Sequence, residues 1–212
     1  MAVLEPEIKG QLKEMLAGME DDVELVLVKQ VNPYTNDIES LVNEIAGLSE
    51  KLSVKAVNIS DEVKKEYGIA HGPAILIRSS NVKGKVVYFG LPGGYEFGAF
   101  AEAIRLAGTK SQKHSKIVSG FASGLEKPLE LKVFVTPGCP HCPSSALLAY
   151  RLGMLSAKVT ALVYEASEFP DESARFKVSG VPHTIINNGE GEYVGGYPEE
   201  TAIAEIKKAL KG

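Results

Sequence analysis

The sequence predicts an α/β protein made of two tandem units, each a mixed sheet with helices on its faces. Three observations carry this. Landmarks recur at near-constant separations of 106 to 109 residues. Met15-Leu16-Ala17-Gly18-Met19-Glu20 repeats as Phe121-Ala122-Ser123-Gly124-Leu125-Glu126, Asn32-Pro33-Tyr34-Thr35 as Cys139-Pro140-His141-Cys142, Gly72-Pro73 as Val181-Pro182, and Gly90-Leu91-Pro92 as Gly196-Tyr197-Pro198. Such self-similarity marks duplication of a folding unit. Within each copy, short β-branched runs alternate with helical periodicities. Finally, 212 residues that are 44% hydrophobic and 24% charged can bury two ordinary cores. The division falls near residue 115, giving units 1–114 and 115–212.

The elements follow in the same order in both units. An amphipathic helix opens each, with an expected apolar face of Leu4, Ile8, Leu12, Met15 and Met19 in the first and Ile117, Phe121 and Leu125 in the second. Val23–Val28 and Leu131–Val135 are apolar enough for strands covered on both sides, and each runs through a Pro-containing turn into a helix. Leu52–Ile59 and Lys158–Tyr164 read as the next strands, followed by short helices at Asp61–Tyr67 and Asp171–Val178. Ala74–Ile77 and Thr184–Ile186 start just after a proline. Hairpins through Val86–Phe89 and Glu192–Gly195 lead into closing helices, the second with its face set by Ile203, Ile206 and Leu210. The order per unit is αβαβαββα.

Charge and composition narrow the function. With 23 Lys+Arg against 27 Asp+Glu, no basic surplus offers a footprint to nucleic acid. Met1–Gly10 lacks the basic-then-apolar pattern of a leader, and no run approaches a membrane span, so a cytoplasmic protein is expected. Two cysteines cannot build a disulfide framework; their chemistry must be local.

Those two are Cys139 and Cys142, in a Cys-Pro-His-Cys segment that follows a strand and opens a helix. A thiol at a helix N-terminus faces unpaired N–H groups and the positive dipole end, which favour thiolate over thiol. Protonated His141 would add charge in the same sense, and Pro140 shapes the turn. The i, i+3 spacing lets Cys142 reach Cys139, so one sulfur can attack a disulfide and the other can release the mixed disulfide. Zinc would need four ligands, and the other candidates, His71, His114, His141 and His183, lack finger spacing. A metal or iron–sulfur carrier is the alternative kept for this pair.

These residues resemble the thioredoxin superfamily, and more closely the archaeal and thermophile protein disulfide oxidoreductases with two fused thioredoxin folds. The resemblance rests on Val135-Thr136-Pro137-Gly138-Cys139-Pro140-His141-Cys142-Pro143, on Val181-Pro182 before a strand, on Gly196-Tyr197-Pro198-Glu199, and on Tyr88-Phe89-Gly90-Leu91-Pro92-Gly93-Gly94-Tyr95-Glu96-Phe97. It implies disulfide exchange with substrate proteins, no bound organic cofactor beyond the Cys139–Cys142 disulfide, and a flavin-containing thioredoxin reductase as electron source. It further implies a cis Pro182 lying against the cysteines, with the Val181 backbone presented to an extended substrate. Bacterial peroxiredoxin reductases also carry a twin module with one dead site, which makes an electron shuttle to a peroxidase the rival reading.

One departure stands out. Asn32 and Thr35 occupy the positions where members often carry a second cysteine pair, so unit one is expected to be redox-silent: a spacer, a binding face or a docking partner for unit two. Gly93-Gly94 and Gly195-Gly196 lack the Lys-Ser/Thr of a phosphate loop and read as turns or loop ends. Glu165, at a strand end, could be a buried acid that assists the second thiol; a solvated loop carboxylate is the reading preferred from sequence. Val133 stands where thioredoxins place a buried Asp. His183 reads equally as a wall of the substrate groove or as an exposed strand-end histidine.

Overall fold

The computed structural model describes residues 4–110 and 114–211. Residues 1–3 of the opening segment, and 111–113 just before the inferred division, lie outside the described residues. Unit one runs α1 (Pro6–Leu16), β1 (Val23–Lys29), α2 (Thr35–Ala46), β2 (Leu52–Asn58), α3 (Asp61–Tyr67), β3 (Ala74–Arg78), β4 (Lys85–Phe89) and α4 (Tyr95–Ala107). Unit two repeats it as α5 (Lys116–Ser123), β5 (Leu129–Val135), α6 (Cys142–Leu155), β6 (Val159–Glu165), α7 (Pro170–Arg175), β7 (His183–Ile186), β8 (Gly191–Val194) and α8 (Glu199–Ala209). Ser60 and Ser115 cap α3 and α5, each hydroxyl accepting a backbone N–H at 3.2 Å.

The two sheets are one. Strand order is β2-β1-β3-β4-β6-β5-β7-β8, with β4 of unit one parallel to β6 of unit two from Lys85 beside Thr160 to Phe89 beside Tyr164. The sequence explains why β6 sits in the middle while its counterpart β2 stays at the edge. Val-Thr-Ala-Leu-Val-Tyr-Glu is buried nearly throughout, whereas Leu-Ser-Val-Lys-Ala-Val-Asn alternates and keeps Lys55 in water. A lysine on an outer strand also discourages a further strand from adding there. Gly84 makes the join possible: its amide donates to the Gly153 carbonyl at 2.8 Å, and a side chain there would strike the carbonyls of Ser156 and Val159.

Alternation along the strands divides the core by sheet face. One face carries α1, α2, α4, α5, α6 and α8 over a large aliphatic core; the other packs Tyr67, Phe89, Phe134, Tyr164 and Phe169 beside α3 and α7. The opening helices correct the expected pattern. Ile8 and Met15 are 37% and 38% exposed and Ile117 is 44% exposed, while Leu12 and Leu16, and Val118, Phe121 and Ala122, face inward. Leu4, Leu12, Met19, Phe121 and Leu125 are buried as expected, so the face holds and only Ile8, Met15 and Ile117 fall at its margin, where α1 and α5 lie against α4 and α6. Among the described residues no helix is long and apolar enough to cross a membrane.

Candidate functional site

Strand β5 ends at Val135, and Thr136-Pro137-Gly138 carries the chain to Cys139. Cys142 is the first residue of α6, and the two are joined as a disulfide with Cα atoms 5.5 Å apart. Cys142 is wholly buried; Cys139 is 9% exposed, and the intervening Pro140 and His141 are exposed. An incoming sulfur therefore has access to Cys139 and not to Cys142.

The second wall is the loop before β7. The Val181–Pro182 bond is cis, and Cys139 Sγ lies 3.6 Å from the Val181 carbonyl oxygen. Among the described residues the Val181 amide has no hydrogen-bond partner. Gly195 donates to the Pro182 carbonyl at 2.8 Å, and Gly196 lets this loop close on the site, since a Cβ there would come within 2.9 Å of the His141 carbonyl.

His183 is not where an exposed strand-end residue would be. It is 3% exposed, pairs with Phe134, and lies on the aromatic face of the sheet, opposite α6. Its Nε2 is 3.4 Å from Glu192 Oε2. Tertiary cover from β8 buries it, so the structure brings Val181 and Pro182 to the disulfide but not this imidazole. Glu165 also departs from the solvated state preferred from sequence. It is 3% exposed, on the α6 face at the end of β6, beside Val135, with Oε2 accepting the Glu168 amide at 2.7 Å. The cover comes from unit one: a Cβ on Gly90 would lie 3.0 Å from the Glu165 Cβ.

Comparison with known proteins bears most directly on the half that holds the cysteines. Residues 129–208 match the family model described as a thioredoxin domain. Those residues make up most of the second unit. Over the whole chain the fold is that of the N-terminal domain of alkylhydroperoxide reductase AhpF from Enterococcus faecalis, at TM-score 0.84 and 22% identity, covering 98% of this chain and 99% of that one. A protein disulfide oxidoreductase from Aeropyrum pernix is similar at TM-score 0.83 and 23% identity, over 100% and 96% of the two chains. In sequence, the AhpF-type alkyl hydroperoxide reductase of Staphylococcus epidermidis is 23% identical over 89% of this chain. A protein from Ferdinandcohnia aciditolerans named NADH dehydrogenase is 24% identical over 96%. The chain spans 35% to 37% of the length of these curated relatives.

Sequence reasoning missed a buried carboxyl on the unit-one helix that packs against α6. Glu96, on the first turn of α4 in unit one, is 0% exposed, and neither of its oxygens has a hydrogen-bond partner. Burial pushes its pKa up to about 8, so it carries a proton at neutral pH. Helix α4 packs along α6, which begins at Cys142. The Tyr95 amide ties α4 to the loop before the cysteines, donating to the Pro137 carbonyl at 3.0 Å. Gly94, at φ +56°, is required at this junction because any side chain would strike Pro137. Tyr88 and Tyr150 are buried with it; burial raises the pKa of both phenols, and the nearby Glu96 carboxyl raises each further.

Unit one keeps the thioredoxin layout without sulfur. Thr35 opens α2 as Cys142 opens α6, and the Gly72–Pro73 bond is cis like Val181–Pro182. Asn32 Oδ1 accepts the Tyr34 amide at 2.7 Å, and Thr35 Oγ1 donates to the Gln30 carbonyl at 2.7 Å. The Gly72 amide, counterpart of the open Val181 amide, donates to Gln30 Oε1 at 2.7 Å.

Proposed function

We propose that the protein is a dithiol–disulfide oxidoreductase that exchanges disulfides with other proteins through Cys139 and Cys142. The observation that carries this is the cysteine pair at the start of α6 with an unfilled backbone edge at Val181 beside it. An extended substrate segment pairs with that edge, which sets its sulfur in line with Cys139. The Cys139 thiolate, favoured by the helix start and by His141, attacks one substrate sulfur and expels the other as thiolate. Cys142 then gives up its proton and attacks Cys139. The substrate leaves as a dithiol, having gained two electrons, and Cys139–Cys142 is left oxidised as a disulfide. Glu96 is the group we assign to relay the Cys142 proton: with a pKa raised to about 8, its ionised minority at neutral pH takes the proton as Cys142 attacks, and its protonated form returns one when the disulfide is reduced; Glu165 is excused from that role because one of its oxygens is tied to Glu168 and the carboxyl faces the join between the units. Pro140 holds the turn between the cysteines.

No organic cofactor enters these steps, and the electrons come from a flavin-containing reductase of the thioredoxin reductase class. The two-cysteine composition supports a cytoplasmic setting for the exchange. A second reading, electron transfer to a peroxiredoxin disulfide, is supported by the similarity along almost the whole chain to alkyl hydroperoxide reductase AhpF. Insulin reduction with dithiothreitol, then with thioredoxin reductase and NADPH, tests the first reading; peroxiredoxin reduction under the same conditions tests the second. Failure to reduce any protein disulfide while Cys139 and Cys142 remain freely reducible would sink both.

A further inference from the structure

A cavity of about 280 Å³ opens where unit one meets the loop after β6, lined by Tyr34, Leu91, Pro137, Glu165 and Glu168. Two carboxylates three residues apart face it. Each has one oxygen committed to a backbone amide: Glu165 Oε2 to Glu168 at 2.7 Å, and Glu168 Oε1 to Leu91 at 2.8 Å. Each has the other oxygen, Glu165 Oε1 and Glu168 Oε2, buried without a hydrogen bond. Glu165 is nine-tenths buried and more, and no Lys or Arg lines the cavity. Asn32 lends Glu168 some polar support, but burial and the neighbouring Glu165 charge still raise its pKa. Two carboxyl oxygens buried without a partner at the wall of one small cavity can be satisfied by the N–H donors of a bound cation. The walls suit one in particular: the exposed Tyr34 ring can stack on a planar guanidinium, whose fork of donors matches a carboxylate.

We propose that this cavity is a subsite for a basic side chain, arginine above all, carried by the polypeptide whose disulfide is exchanged at Cys139. Its position supports this, since Pro137 stands two residues before Cys139 and Glu165 pairs with Val135 on the strand that leads to it. The silent unit thereby gains a part in recognition, because Tyr34 and Leu91 come from unit one and the subsite is incomplete without them. This inference rests on the exchange function proposed above.

The test uses the full chain and a matched set of short disulfide peptides that differ at one position near the cysteine, carrying arginine, citrulline or glutamate. Two readouts are taken: binding to the Cys139→Ser, Cys142→Ser protein by calorimetry, and single-turnover reduction by the reduced wild type. The arginine peptide should bind and react roughly tenfold or more better than citrulline, as expected for a charge-assisted pair, and glutamate should be worst. Glu168→Gln should collapse the arginine-to-citrulline ratio, and Glu168→Lys should turn the order towards glutamate, a reversal that mere loosening of the loop does not produce. Equal binding of all three peptides to the double-serine protein overturns the subsite even if every peptide is reduced. Ranked binding without reduction of any peptide upholds the subsite and overturns the exchange function instead.

Discussion

The two units show how one turn can be closed by two chemistries. In unit two a disulfide spans the start of α6; in unit one the Asn32 side chain holds the Tyr34 amide and the Thr35 hydroxyl holds the Gln30 carbonyl. Local side-chain hydrogen bonds of this kind are strong turn formers. The same exchange is visible at the cis-proline loops. Gln30 Oε1 fills the edge at Gly72, while Pro137, in the matching place, can fill nothing at Val181. The lesson is that a redox site can be lost without losing its scaffold, provided polar side chains satisfy the backbone groups that substrate and sulfur leave behind.

The largest expected effect breaks the comparison at its centre. Cys139→Ser should abolish exchange, whereas Cys142→Ser should retain an attacking thiol and accumulate mixed disulfides with substrate, visible by non-reducing electrophoresis. Complexes trapped only with Cys139→Ser would invert the roles.

Next comes the carboxyl lent across the join. Because its folded pKa is raised to about 8, Glu96 binds its proton more tightly folded than unfolded. Its contribution to stability should therefore be full below about pH 4.5 and be lost as pH rises through 8, by up to a few kcal/mol at about 1.4 kcal/mol for each tenfold change in proton affinity. Glu96→Gln should remove that slope in denaturant titrations at pH 5, 7 and 9, and should flatten the pH profile of exchange. A wild-type slope retained in the glutamine variant would exclude Glu96 as its source.

A third change sharpens the comparison by restoring what unit one lacks. Asn32→Cys with Thr35→Cys should form a second disulfide in the folded protein, since the layout of α2 matches that of α6. Thiol titration after mild oxidation counts it; two persistent free thiols would mean that the turns differ more than their hydrogen bonds suggest.

The smallest effect is expected from Gln30→Ala, which leaves the buried Gly72 amide unpaired at a cost of about 1–2 kcal/mol. An unchanged midpoint in urea would show that water takes the place of the glutamine.

Much of this was legible in the chain because it is local. The element order is written in contiguous apolar runs, and the cysteine pair and cis-proline segments are short motifs. What escaped depends on the neighbouring unit. Glu96 looks like an ordinary acid in a first helical turn, where the dipole welcomes one, and only packing against α6 strips its water. Glu165 looks like a strand-end carboxylate until the Gly90–Leu91 loop covers it. The joined sheet had a trace in sequence, the apolar Leu162 where β2 has Lys55, but a buried strand does not name its neighbour.

That joined sheet constrains how the molecule can be taken apart. Cut away from unit one, the second unit would carry Val159–Glu165 as a bare outer strand, apolar from Ala161 to Tyr164 and without a lysine to guard it, its free amides and carbonyls a template for pairing with other chains. By pairing β4 along that strand, unit one shields it from the edge-to-edge association a bare strand invites.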